Sequence, residues 1–168
     1  MRSGRVAYRV TQFARAFTTK MGPQEPAELE RLLNHDELAL FYGMSKAALR
    51  HGLLVFRQLR RQGCDDSQLL TAALLHDVGK SRVSLAHRVV GVLLGMIWPT
   101  SICRMASANG RGWRRGFYEH LYHPELGARM VLQAGSQPRV VELIRRHHAG
   151  VEGGPQGLSA LRMADEGS

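Results

Sequence analysis

The stretch Thr71-Ala-Ala-Leu-Leu-His-Asp-Val-Gly-Lys80 decides how the rest of the chain is read. A run of small and apolar residues leads straight into His76 and Asp77. An aspartate at the end of a buried helix needs a compensating charge, because carboxylates are almost never fully buried unless paired. A metal ion is one such compensation. Adjacent His and Asp side chains point about 100° apart on a helix, so they can grip one ion from two sides or reach two ions. A carboxylate can bridge two cations, whereas an imidazole nitrogen normally serves one.

Outward from this segment the pattern is helical. Asp66 is placed to cap a helix from Ser67 to about Val78, with Gly79 as its stop. Upstream, Ser45 caps a longer helix running to Gly63, with Leu49, Leu53, Phe56 and Leu59 on one face. Asp36 is positioned to cap the segment carrying Leu38, Leu40, Phe41 and Met44, and a short helix starts near Pro26 and ends near Asn34. Before it, Val6, Val10, Phe13 and Phe17 share one face of a helix from Gly4 to Lys20. That start is basic and free of acids, a composition also found in organelle transit peptides. Its periodicity favours a helix packed on the domain.

Downstream, about 81–117 is less regular: an apolar helix from Leu85 to Trp98, then a loop rich in Gly, Ser and Arg. Helices resume at Pro124–Ala134, stopped by Gly135, and at Pro138–His148, capped by Ser136. The segment 149–157 holds four glycines and a proline and reads as a loop before a last helix, Leu158–Glu166. No alternating run of β-branched residues appears, so the expected fold is all-α with no substantial sheet. We expect residues 1–44 to form a helical extension packed on a domain spanning 45–168, with an insertion at about 81–117.

Composition sets the class of molecule. The chain has 168 residues, of which 44% are hydrophobic and 22% charged, so it can bury a core and is not a disordered tail. No stretch reaches the roughly 18 apolar residues of a membrane span. The net charge of +9 favours anionic partners: nucleotides, nucleic acid or an acidic membrane surface. Cys64 and Cys103 are the only cysteines and form no CxxC spacing. They read as reduced thiols of a cytoplasmic protein.

Five segments resemble the HD-domain metal-dependent phosphohydrolases. His51, His76-Asp77 and Asp165 match that family's H…HD…D order, and Ala73–Lys80 is close to its "LLHDIGK" segment. His123-Pro-Glu-Leu-Gly-Ala128 and Ile144-Arg-Arg-His-His148 resemble the "HPxxGA" and "I..HH" segments of the HDIG-like subgroup with a second metal. Leu158–Asp165 is similar to the closing "L..L..AD" helix. The resemblance covers about Ser45 to Asp165 and implies a compact helical bundle. It implies that His51, His76, Asp77 and Asp165 hold one metal, and that Asp77 bridges to a second completed by His123 and His147. His148 is a further ligand or faces a substrate oxygen. His120, one turn before His123, is the alternative third histidine. The mixed imidazole and carboxylate donors suit two divalent transition metal ions, Fe or Mn first, then Zn, Co or Ni, rather than Ca.

The implied activity is hydrolysis of a phosphomonoester or phosphodiester, with nucleotides as the leading substrate class and a metal-activated water as nucleophile. Asp77 and Lys80 would be the catalytic pair. Lys80, Arg82, Arg146 and His148 are the candidate phosphate contacts, the two arginines without a motif to specify them. Two rival readings keep the fold: a di-iron oxygenase, and a non-catalytic module that senses a nucleotide. There are departures from the family pattern. The loop Gly153-Gly-Pro-Gln-Gly157 lacks the tyrosine of the "GYP" stretch found in subfamilies that degrade cyclic dinucleotides. Ala47 stands where three-metal versions carry Glu. Arg104, Arg111, Arg114 and Arg115, flanked by Trp98 and Trp113, suit a solvated face, peripheral membrane contact or a homodimer surface. Nucleic acid is the least supported partner, since no recognition motif accompanies the charge.

Overall fold

The computed structural model describes residues 21–80, 113–150 and 152–168, without the side chains of 113–117 and 120. The expected helices Gly4–Lys20 and Leu85–Trp98, and Arg82, lie outside the described residues. Among those described there are seven α-helices and no strand, as the absence of β patterning requires: α1 (Glu25–Leu32), α2 (His35–Gly43), α3 (Lys46–Arg61), α4 (Ser67–Leu75), α5 (Trp113–Gln133), α6 (Pro138–Arg146) and α7 (Leu158–Gly167). None is long and apolar enough to cross a membrane.

The hub is α4. Every residue from Leu69 to Leu75 is buried, and α1, α2, α3, α6 and α7 all pack on it. Its four leucines each contribute roughly 2 kcal/mol of burial before the entropy of ordering is charged against them. The all-round apolar surface of α4 is what a central helix needs. By contrast α3 buries one stripe, Ala48, Gly52, Leu53, Val55, Phe56 and Leu59. At Gly52 the backbones of α3 and α4 nearly touch: an added Cβ would lie 2.6 Å from the Leu74 carbonyl oxygen.

Two expected caps are found. Ser45 Oγ accepts from the Ala48 amide, and Asp66 Oδ1 accepts from the Gln68 and Leu69 amides. Asp66 Oδ2 also accepts from Arg139 Nη2 at 2.6 Å, tying α4 to α6. Burial opposes the Asp66 charge, but Arg139 and the helix amides outweigh it and hold the carboxyl below its ordinary range. Asp66→Ala is therefore expected to cost about 1–2 kcal/mol, and Asp66→Asn less, because Asn still caps. The ion pair is partly exposed and adds at most about 1 kcal/mol. Its contribution is present above the unfolded carboxyl pKa of about 3.9 and is lost as pH falls through the lower folded value. Urea midpoints of wild type and Asp66→Asn should thus converge on acidification.

Other boundaries differ from expectation. The cap of α2 is Asn34, not Asp36: Asn34 and Glu37 form a reciprocal capping box. Glu37 is buried, and its second carboxylate oxygen accepts from Ser136 Oγ at 2.6 Å. Ser136 therefore joins α2 to the α5–α6 turn instead of capping α6, whose N-cap is Gln137. Pro124 lies inside α5 rather than starting it. Gly135 does end α5: it has φ +76°, and the Gly135 and Ser136 amides donate back to the Leu132 and Val131 carbonyls, the Schellman arrangement. Gly79 is not a stop. Regular helix ends at Leu75, and Val78–Lys80 form a single 3-10 turn.

Candidate metal centre

Two helices end on a histidine, and both ends face the same space. His76 is the C-cap of α4 and His147 the C-cap of α6. At a helix end the last carbonyls lack intrahelical partners, so each ring can use one. His76 Nδ1 donates to the Ala73 carbonyl at 2.9 Å, and His147 Nδ1 donates to the Ile144 carbonyl at 2.6 Å. A carbonyl only accepts, so a proton is fixed on Nδ1 and both Nε2 atoms are turned toward the cluster, where they could donate to a metal. This is the outer-shell bond that orients metal-ligating histidines.

His123 comes from the middle of α5. The 3-10 turn brings it close, because Gly79 packs directly on the α5 backbone. His123 Nε2 lies 3.3 Å from His147 Nε2. The two atoms are 3.8 and 3.9 Å from Asp77 Oδ1. His148 stacks on the pair, with ring centroids 4.1 Å from His147 and 4.9 Å from His123. On the other side of Asp77, His76 Nε2 lies 3.6 Å from the same Oδ1 and 3.5 Å from Asp165 Oδ1. His51, from α3, reaches Asp165 Oδ1 at 2.7 Å. The metal-compatible donors therefore fall into two sets, His51 with His76 and Asp77, and His123 with His147 and His148. Asp77 Oδ1 stands between them, and Asp165 adds to the first.

The electrostatics are those of a cation site. Burial opposes the charge on Asp77, yet Lys80 and the surrounding imidazoles hold it ionised, well below the usual carboxylate range. Asp165 behaves likewise, with burial outweighed by His51 and His76. Burial disfavours charge on His76, but Asp77 and Asp165 overcome it and raise its pKa to about 9. His147 is pushed the other way, to about 3, by burial and by His76 and His148. His148 falls to about 4 through desolvation of its packed face and the nearby Lys80. Two carboxylates that attract a proton to His76 would equally attract a metal to its Nε2, since a metal takes the proton's place on a ligand.

The residues present fit such an ion. His76 Nε2 is buried without a hydrogen bond, a costly state for a polar atom, and Asp77 Oδ1 is buried with an ion pair but no well-aligned hydrogen bond to offset its desolvation. Lys80 Nζ stands 2.7 Å from Asp77 Oδ1 as its counter-ion. A divalent ion coordinated by both atoms would satisfy them.

The other expected site residues are placed as follows. Lys80 joins the cluster, with its side chain 16% exposed. Arg146 directs Nη1 and Nη2 to the carbonyls of Gly153 and Glu152, so it braces the 149–157 loop. The side chain of His120 and all of Arg82 are outside the described residues. His35 is exposed at the start of α2, away from the pattern expected of a ligand. Sequence reasoning passed over Glu119, a buried acid one turn before His123 on α5; the i, i+4 spacing was its signal. It also misjudged Gly79, whose role is close approach and not helix termination.

Searches of curated proteins and of solved structures gave no significant match. A family model described as HD domain matches residues 7–166, which takes in every residue of the cluster and all of the seven helices but the last residue of α7. With two histidines on helix ends, an aspartate beside the first and a closing aspartate on α7, the chain belongs to the HD domain family.

Proposed function

We propose that the chain is a metal-dependent phosphohydrolase of the HDIG-like kind, cleaving a phosphomonoester or phosphodiester, with nucleotides as the leading substrates. The observation that carries this reading is the position of Asp77 Oδ1, 3.6–3.9 Å from the Nε2 atoms of His76, His123 and His147. A carboxylate placed between two imidazole sets is able to bridge a dinuclear site.

In this reading His51, His76, Asp77 and Asp165 hold one ion, and Asp77, His123 and His147 hold the other. Fe or Mn fits the mixed donor set best, with Zn, Co and Ni as further candidates. Such a pair of ions, when bound, supplies an activated water and polarises a phosphoryl oxygen. The chain's own groups bind and orient the ester. Lys80 can pivot from Asp77 to a phosphate oxygen, exchanging one anionic partner for another. His148, packed on His123 and His147 but open to solvent on its outer side, offers an imidazole N–H to a second oxygen. Arg82 is a further candidate clamp.

The test is metal content by elemental analysis on protein purified without chelator or a metal-affinity tag. A panel of nucleotides and simple phosphoesters then follows, with each of the five metals. Phosphate release that needs a bound metal supports the reading. Tight nucleotide binding with no turnover in any metal overturns it in favour of a sensing module. Product formed only with iron and only in air overturns it in favour of an oxygenase. His123→Ala is expected to remove one of the two ions and spare the other, while His120→Ala leaves both. The reverse result would transfer the third-histidine role to His120.

A further inference from the structure

The 149–157 loop follows the His147–His148 pair directly and ends at Gly157, the N-cap of α7, which carries Asp165. It therefore joins the two halves of the centre. Its composition makes it costly to order: four of its nine residues are glycine, the residue with most backbone entropy to lose. Gly157 offers α7 no side-chain cap.

Three arginines from outside the loop supply the order. Arg139 of α6 donates from Nε and Nη2 to the Gln156 carbonyl. Arg146 of α6 donates to the Glu152 and Gly153 carbonyls at 2.9 and 2.7 Å. Arg162 of α7 donates from Nη1 to the Ala149 carbonyl at 2.6 Å. The first two connect α6 to the far part of the loop. Arg162 is different, because at the exposed edge of the centre it connects α7, which carries Asp165, to the residue that follows His148. It sits one turn before Asp165 on α7, and its acceptor is the residue next to His148. The Ala149 amide in turn donates to the Arg146 carbonyl at 2.8 Å, which fixes the end of α6.

We propose that Arg162 is a positioning residue for the metal centre: its bond to the Ala149 carbonyl fixes the separation between Asp165 and the His147–His148 pair. This rests on the reading of the cluster as a dinuclear site. Guanidinium suits the task, since a planar, always-charged donor grips a bare carbonyl with little further loss of freedom. Groups that hydrogen-bond a ligand directly typically change metal affinity about 10–100-fold, and Arg162, whose acceptor is the residue next to His148, acts one step further out, toward the lower end of that range.

The experiment is a Co(II) titration of the metal-free full-length protein, followed by visible absorption and by elemental analysis of the loaded form. Wild type, Arg162→Ala, Arg162→Lys and Arg139→Ala are compared, and circular dichroism confirms that each variant is folded. Arg162→Ala is expected to weaken Co(II) binding about 10-fold and to alter the Co(II) spectrum. Arg162→Lys keeps a charged donor and should recover most of the affinity. Arg139→Ala should leave the spectrum at wild type. An Arg162→Ala protein with wild-type affinity and spectrum overturns the proposal, as does equal damage from Arg139→Ala, which would mark general loosening. If wild type itself binds no Co(II), it is the dinuclear reading that falls. Should Arg162→Ala fail to fold, Arg162→Lys and Arg162→Gln decide: Gln, an uncharged and shorter donor, should weaken Co(II) binding more than Lys does, and wild-type affinity and spectrum in both variants overturn the proposal.

Discussion

Asp77→Ala is expected to take the protein from about two bound transition metals per chain to none, the occupancy of a shared-carboxylate site without its bridge. The reason is geometric. Asp77 Oδ1 lies within 4 Å of imidazole nitrogens from both sets, His76 on one side and His123 and His147 on the other. Without it the second set has imidazoles alone, and the first keeps His51, His76 and Asp165. Asp165 already serves His51 at 2.7 Å and lies 3.5 Å from His76 Nε2, both of the first set. Phosphoester turnover should fall to background with the metals.

Stability should move less than metal content. Cutting one partner from a fully buried ion pair costs about 3–5 kcal/mol, but Lys80 is partly exposed and can turn to water once Asp77 is gone. The expected loss in metal-free protein is therefore below that range. Asp77→Asn separates the two effects, since it keeps volume but lacks the charge. Both variants should lose metal while remaining folded. Retention of two metals by either would remove Asp77 from the bridge.

Several parts of this centre were legible in sequence, and the reason is local. Ser45 and Asp66 act through amides two and three residues away, so a cap can be read from its own neighbourhood. Asn34 could have been read too: Asn34-x-x-Glu37 is a capping-box spacing, and Asp36 distracted from it. Ser136 could not, because its partner Glu37 lies 99 residues earlier. A proline inside a helix was also out of reach, since the signal at Pro124 is the same as that of a helix start. For the site, the family-like segments named the ligand candidates, but the bonds that orient them are tertiary. His51 meets Asp165 across 114 residues. The Nδ1 bonds of His76 and His147 depend on helices ending at Leu75 and Arg146, about three and two residues before the sequence placed those ends.

Gly79→Ala is expected to be the most damaging single methyl addition near the centre. Gly79 does not need a left-handed backbone, as it is absent from the glycines with positive φ. What it needs is space. A Cβ there would fall 2.1 Å from the His123 carbonyl oxygen and 2.8 Å from the Gly127 amide nitrogen. Both are backbone atoms of α5, so no rotamer change relieves the clash, and α5 must move away by roughly 1 Å in an interior packed like a crystal. Overpacking usually costs about 1–3 kcal/mol, and a rigid backbone neighbour places this case at the upper end or beyond. The displaced helix carries His123, so one metal should be lost along with stability. Gly127→Ala is the informative companion. Its Cβ would meet Gly79, Ile144 and Val78 at 3.3 Å, a contact that gives by tenths of an ångström. The helix gains about 1 kcal/mol when Ala replaces Gly, which offsets that crowding. Urea unfolding should thus show a large drop for Gly79→Ala and little change for Gly127→Ala, with metal content following the same order. Equal behaviour of the two would mean that α5 and the 3-10 turn do not meet backbone to backbone, and the route by which His123 reaches Asp77 would need another explanation.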